Sequence, residues 1–132
     1  MSFDASKIVK YWKDHADYDI ETAKSMYDAK RYPYALFMCH LSIEKLLKAL
    51  YVKEYGEHAP YVHNLIELAK KLDFNFKDDQ KKLLADLSSF NLEARYPEWK
   101  SVFYKTATKS YTKKYLENTK EFYLWLKKYL KK

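Results

Sequence analysis

Three short clusters in this chain combine residues able to bind anions or move protons. His40-Leu-Ser-Ile-Glu-Lys-Leu-Leu-Lys48 sets Glu44 four residues before Lys48, so the two can pair on one helix face with Lys45 beside them. A charged pair in so apolar a helix is costly unless compensated, which gives a reason to suspect a function. The alternative is that Glu44 and Lys48 edge a groove, stems packed and heads in water. His63-Asn-Leu-Ile-Glu-Leu68 opens another helix, where a histidine meets exposed backbone N–H groups that also attract phosphate. The plainer reading is a histidine that caps the helix or fills a loop. The third cluster, Asn91-Leu-Glu-Ala-Arg-Tyr-Pro-Glu-Trp-Lys100, sets Arg95 and Tyr96 directly before Pro97. Arg95 supplies a planar five-donor fork suited to phosphate or carboxylate, and Tyr96 a face for stacking. Pro97 keeps Tyr96 out of ordinary helical geometry and limits the helix.

Other chemistries are excluded by composition. A single glycine leaves no Gly-rich phosphate loop and no dinucleotide fingerprint. The lone Cys39 leaves no Cys-based zinc site and no intrachain disulfide, which points to a reducing, cytoplasmic compartment. On its apolar helix Cys39 reads as a small hydrophobe rather than a reactive thiol. His58 and His63 straddle a loop with Pro60 and have no acidic partner at a familiar spacing, so neither a metal nor a cofactor is called for. No apolar run reaches the roughly 18–20 residues that span a bilayer, and the first residues lack the pattern of a signal peptide. No membrane association is expected.

The elements that position these clusters are helices. One glycine and three prolines in 132 residues are too few for the many turns of a sheet protein, and 48% apolar with 33% charged suits a globular chain. Asp4 caps a first helix reaching about residue 29, with Ile8, Tyr11, Trp12, His15, Tyr18 and Ala23 on its apolar face. Pro33 opens a second, over about 33–55, and Gly56 stops it. That helix is apolar on most sides and therefore central. Leu36, His40, Ile43, Leu47 and Leu50 form one stripe; Ala35, Cys39, Ser42 and Ala49 form a strip of small residues beside it. A short helix over about 63–72 buries Leu65, Leu68, Ala69 and Leu72. Another over about 77–93 buries Leu83, Leu84, Leu87 and Phe90, with Asp78 and Asp79 in its first turn. After a turn at 94–97, a last helix over about 109–131 presents Tyr111, Tyr115, Phe122, Leu126 and Tyr129, flanked by Leu116, Tyr123 and Leu130. The expected architecture is all-α: an up-and-down bundle of four main helices plus one short helix, in a single domain over 1–132.

Charge and aromatic content speak to partners. Residues 1–99 carry 15 basic and 16 acidic groups, whereas residues 100–132 carry 10 lysines and 2 glutamates. A last third at +8 suits a polyanion, although lysine on a solvated helix also serves solubility. Fourteen tyrosines, seven phenylalanines and three tryptophans exceed what one small core readily hides, which favours a dimer.

Taken in order, Ser42-Ile-Glu-Lys-Leu-Leu-Lys-Ala49, His63-x-Leu-x-x-Leu68 and Ala94-Arg-Tyr-Pro-Glu98 resemble the HEPN domain, the higher eukaryotes and prokaryotes nucleotide-binding domain, over about residues 5–130. The resemblance implies a helical bundle, commonly a homodimer, often working with a small nucleotidyltransferase encoded nearby. Ribonuclease branches, including toxins of toxin–antitoxin pairs, carry an arginine followed four to six residues later by a histidine. Here no histidine follows Arg95, since His63 is the last, and Arg31 precedes His40 by nine positions. Without that histidine the general acid/base for 2′-hydroxyl attack is missing. The expectation is a non-catalytic domain that binds a nucleotide or polyanionic ligand through Arg95, Tyr96, His63, Glu44, Lys45 and Lys48 and pairs with a nucleotidyltransferase. One alternative is an RNA-cleaving toxin with an atypical site drawn from Arg95, His63 and Glu44. Another is a pure interaction and dimerisation module.

Overall fold

A computed structural model describes residues 3–131, with nothing said of the side chain of Pro97. Met1, Ser2 and Lys132, the last belonging to the lysine-rich third, lie outside the described residues. Among the described residues the chain is all-α, with no strand. Its elements are α1 (Ala5–Asp28), α2 (Tyr32–Tyr55), α3 (Leu65–Lys70), α4 (Asp78–Arg95), α5 (Pro97–Thr106) and α6 (Lys109–Lys127), ending in a 3₁₀ turn, Lys128–Lys131.

The local chemistry explains most boundaries. Asp4 caps α1 by accepting the Lys7 N–H at 3.3 Å. Pro33 lies in the first turn of α2, and Gly56 ends that helix with a left-handed φ of 65°. Asn64 caps α3, taking the N–H groups of Ile66 and Glu67 on its Oδ1. Thr108 caps α6 by accepting the Tyr111 N–H. Asp78 and Asp79 occupy the first turn of α4, where negative charge meets the positive helix end.

Helix α2 runs through the centre. Both of its expected stripes are buried, and Leu36, Cys39, Ile43, Leu46 and Leu47 have no exposed surface at all. The expected core faces of α3 and α4 are buried as well. An aromatic cluster of Phe74, Phe76, Phe122, Trp125 and Tyr129, with ring centroids 4.4–6.3 Å apart, closes one region of the bundle. Buried tyrosines tie helices together: Tyr123 donates to Asp17 of α1, and Tyr115 to Asp86 of α4 at 2.8 Å.

Three expectations need correction. The buried face of α1 is rotated: Ala16, Asp19 and Ala23 are buried, while Tyr11, His15 and Tyr18 are exposed. Alanines let α1 approach α2 more closely than tyrosine rings would, and Asp19 is buried because Lys45 of α2 meets it. The turn at 94–97 shrinks to one extended residue, Tyr96 (φ −98°, ψ 124°), and Pro97 starts a further helix, α5. Proline stops the helix before it and, with its φ already set, begins the next one. Phe103, 1% exposed, anchors α5 to the core. The short helix is also shorter than expected, beginning at Leu65 rather than residue 63, because Asn64 rather than His63 provides the cap.

Candidate functional site

Glu44 is the centre of the site. Its carboxylate projects from α2 with only 5% of the side chain exposed, and both oxygens are engaged. Lys48, one turn along the same helix, donates to Oε2 at 3.3 Å. His63, from the loop before α3, places Nδ1 at 3.1 Å from Oε1. The Lys48 ammonium also lies 5.1 Å from the centre of the Trp12 ring of α1, which covers it with a cation–π contact. A buried carboxylate flanked by an ammonium and an imidazole meets the condition under which burying charge is tolerable, a partner on each oxygen.

His40 supplies the floor. It has no exposed surface, and its Nε2 lies 3.0 Å from the backbone carbonyl of His63 and 3.6 Å from Glu44 Oε1. The carbonyl requires a donor, so Nε2 carries the proton and Nδ1 is left as a bare acceptor, which has no partner among the described residues. Burial holds the His40 pKa below its usual value, reinforced by the charges of His63 and Arg95, against the raising effect of the His63 carbonyl and Glu44. The bond from His40 pins the His63 backbone to α2, and this aims the His63 ring at Glu44. Half of that ring, 54%, faces solvent.

Arg95 ends α4 and is exposed. Its charge is felt at His40, which sets it on the same side of the bundle as the Glu44–His63 pair. Among the described residues no acidic side chain pairs with it. Tyr96 follows, half exposed, its ring edge-on to Trp99 at 6.3 Å. Between α3 and α4, a pocket of about 340 Å³ runs from His63 and Asn64 along Ala85, Ser88 and Leu92 of α4.

Of the six residues expected at a site, Glu44, Lys48 and His63 come together, and Arg95 and Tyr96 flank them. Lys45 does not join them: it points to α1, its ammonium 2.6 Å from Asp19 but too oblique for a hydrogen bond. The backbone N–H groups near His63 are also spoken for, because Asn64 takes two and Ser88 Oγ accepts that of Leu65 at 2.8 Å. Sequence reasoning left His40 in the core stripe and overlooked its place, and that of Trp12, at the site. His40 stands four residues before Glu44, a spacing that could have revealed it. For Trp12, distant in sequence, no such signal exists. Cys39 is inert here, its thiol pKa pushed up to about 12 by burial.

A central helix, a histidine-led short helix and an arginine at the end of the next one form an arrangement that comparison with known proteins can place. The HEPN domain model matches residues 9–129. The chain belongs to the HEPN domain family. Among solved HEPN-like folds, the crystal structure of TT1696 from Thermus thermophilus superposes with a TM-score of 0.80, covering 92% of this chain and 97% of that one at 17% identity. At that identity the likeness speaks for the fold alone. No curated protein matches the chain significantly. No helix among the described residues of this HEPN domain is long and apolar enough to cross a membrane.

Proposed function

We propose that this HEPN domain is a non-catalytic binding module, of the branch carrying the Ala94-Arg95-Tyr96-Pro97-Glu98 motif, that holds a nucleotide or polyanionic ligand beside Arg95. The observation that carries the reading is the state of Arg95. Its guanidinium is exposed and unpaired with any acid among the described residues, since Glu44 is taken by Lys48 and His63. Five donors on a rigid fork, half-shielded by Tyr96 and next to a half-exposed histidine, suit a phosphate group. Glu44 and Lys48 act from beneath, holding His63 in place rather than touching the ligand. Lys45, committed to Asp19, takes no part.

Titrating a fluorescent adenine nucleotide into wild type and Arg95→Ala tests this, with melting curves alongside. Losing a charge-assisted contact of about 1.5–3 kcal/mol should weaken binding roughly ten- to a hundredfold without changing the melting temperature. Arg95→Lys should also weaken it, because lysine lacks the fork. Equal affinity in folded wild type and folded Arg95→Ala would end the reading. The partners proposed are a second copy and a small nucleotidyltransferase; failure of the neighbouring gene's product to co-purify would remove the latter.

A ribonuclease reading is favoured by one observation, the Glu44–His63 contact. A carboxylate on Nδ1 leaves Nε2 of a half-exposed imidazole free to accept a proton, the orientation a general base needs. RNA cleavage abolished by His63→Ala, in protein free of other nucleases, would establish it; no cleavage by wild type would dismiss it.

A further inference from the structure

We infer that the pocket between α3 and α4 is the subsite for the heterocyclic base of the ligand whose phosphate Arg95 holds. The inference rests on the phosphate site proposed above and deepens it. Ile66 of α3 and Leu92 of α4 form apolar walls, and His63 stands at the rim. At about 340 Å³ the pocket is at the small end of ligand sites, sized for one ring system rather than a whole nucleotide.

Asn91 gives the pocket its chemistry. It is 7% exposed and lines the pocket, yet its amide makes no hydrogen bond among the described residues. A buried side chain with a carbonyl and an NH₂ group usually has both engaged, so an idle amide facing a cavity signals an absent partner. The matching partner presents a donor beside an acceptor in one plane, as adenine does at N6 and N7. Ser88 adds a second polar contact. Its oxygen accepts the Leu65 N–H, and its own proton has no acceptor among the described residues.

Register connects this pocket to Arg95. Asn91 and Arg95 are four residues apart on α4, one turn and about 6 Å of rise, a separation that a ribose bridges. A nucleotide laid along α4 therefore sets its base against Asn91 and Leu92 and its phosphate at Arg95.

The experiment compares adenosine 5′-monophosphate with ribose 5-phosphate, by calorimetric titration into wild type, Asn91→Leu, Ala85→Leu and Arg95→Ala. Ala85 is an exposed lining position on α4, so leucine there fills the pocket without disturbing the core. Asn91→Leu and Ala85→Leu should each weaken adenosine 5′-monophosphate at least tenfold and leave ribose 5-phosphate unchanged. Arg95→Ala should weaken both. If wild type binds the two ligands equally, or if neither pocket variant alters nucleotide affinity, the base subsite is refuted while the phosphate site stands. If wild type binds neither at millimolar concentration, the phosphate site falls, and this inference with it.

Discussion

At the scale of single residues, the chemistry concentrates on one buried carboxylate and one buried imidazole. Glu44 balances Lys48, whose side chain is only 8% exposed, so removing the negative charge strands an ammonium. Glu44→Gln should cost about 3 kcal/mol in urea unfolding, toward the lower end for a broken buried pair because Trp12 still covers the cation. The double change Glu44→Leu with Lys48→Leu should cost less than Glu44→Gln alone. The reverse order would mean that the pair is a net source of stability. His40 predicts a pH dependence. Its folded pKa lies below the ordinary histidine value of 6.5, so the unfolded chain takes up the proton first as pH falls. Its contribution is complete above about pH 6.5 and is lost as pH falls toward the folded value, with a slope of at most about 1.4 kcal/mol per pH unit. The groups that act on it are Glu44 on its own helix, His63 and Arg95. Replacing it with glutamine, which keeps a donor for the His63 carbonyl, should flatten the fall in melting temperature between pH 7 and pH 5. Parallel profiles for wild type and His40→Gln would rule out His40 as the source.

At the scale of elements, the short α3 and its entry loop depend on few contacts. Asn64 satisfies two N–H groups and His40 pins the His63 carbonyl. Asn64→Ala should lower stability by about 1 kcal/mol, the usual cost of losing a cap. It should also speed amide exchange at Ile66 and Glu67, which lose their acceptor; unchanged exchange there would show that the cap is redundant. Gly56 poses a different constraint. A side chain there would meet nothing within 4 Å, but φ is +65°. Gly56→Ala should therefore cost on the order of 1–2 kcal/mol through backbone strain alone, read as a shift in the denaturation midpoint.

For the whole molecule, aromatic surface is the notable feature. Tyr96, Trp99 and Tyr104 on and before α5 are 42–50% exposed, Val102 is 63% exposed, and Tyr34 of α2 stacks edge-on against Tyr104. This surface continues directly from the proposed ligand site at Arg95 and Tyr96, and a second copy of the chain is the occupant we assign to it. Light scattering at about 100 µM should give twice the chain mass, and Trp99→Glu with Val102→Glu should halve it. A monomer mass for wild type would remove the dimer. The lysines of α5 and α6, among them Lys105, Lys109, Lys113 and Lys114, are exposed and carry the positive charge of the last third to the surface. Any polyanion binding they support should weaken steeply with added salt.

Periodicity and punctuation alone determined the helices, the central place of α2, the buried faces of α3 and α4 and the caps at Asp4 and Gly56. Each depends on residues within a turn or two of one another, and such short-range chemistry can be read from spacing. Pro97 was legible as a stop but not as a start, because whether a helix resumes after proline depends on a distant anchor, here Phe103 in the core. The face of α1 was misread for the same reason: tyrosine and alanine are both compatible with burial, and only the closeness of α2 and the charge of Lys45 select alanine and aspartate. Glu44 and Lys48 were paired by their spacing, yet nothing local joins them to His63, nineteen residues on, or to Trp12 on another helix. Tertiary structure decided that, because a buried charge is stable only where the folded chain supplies its partners.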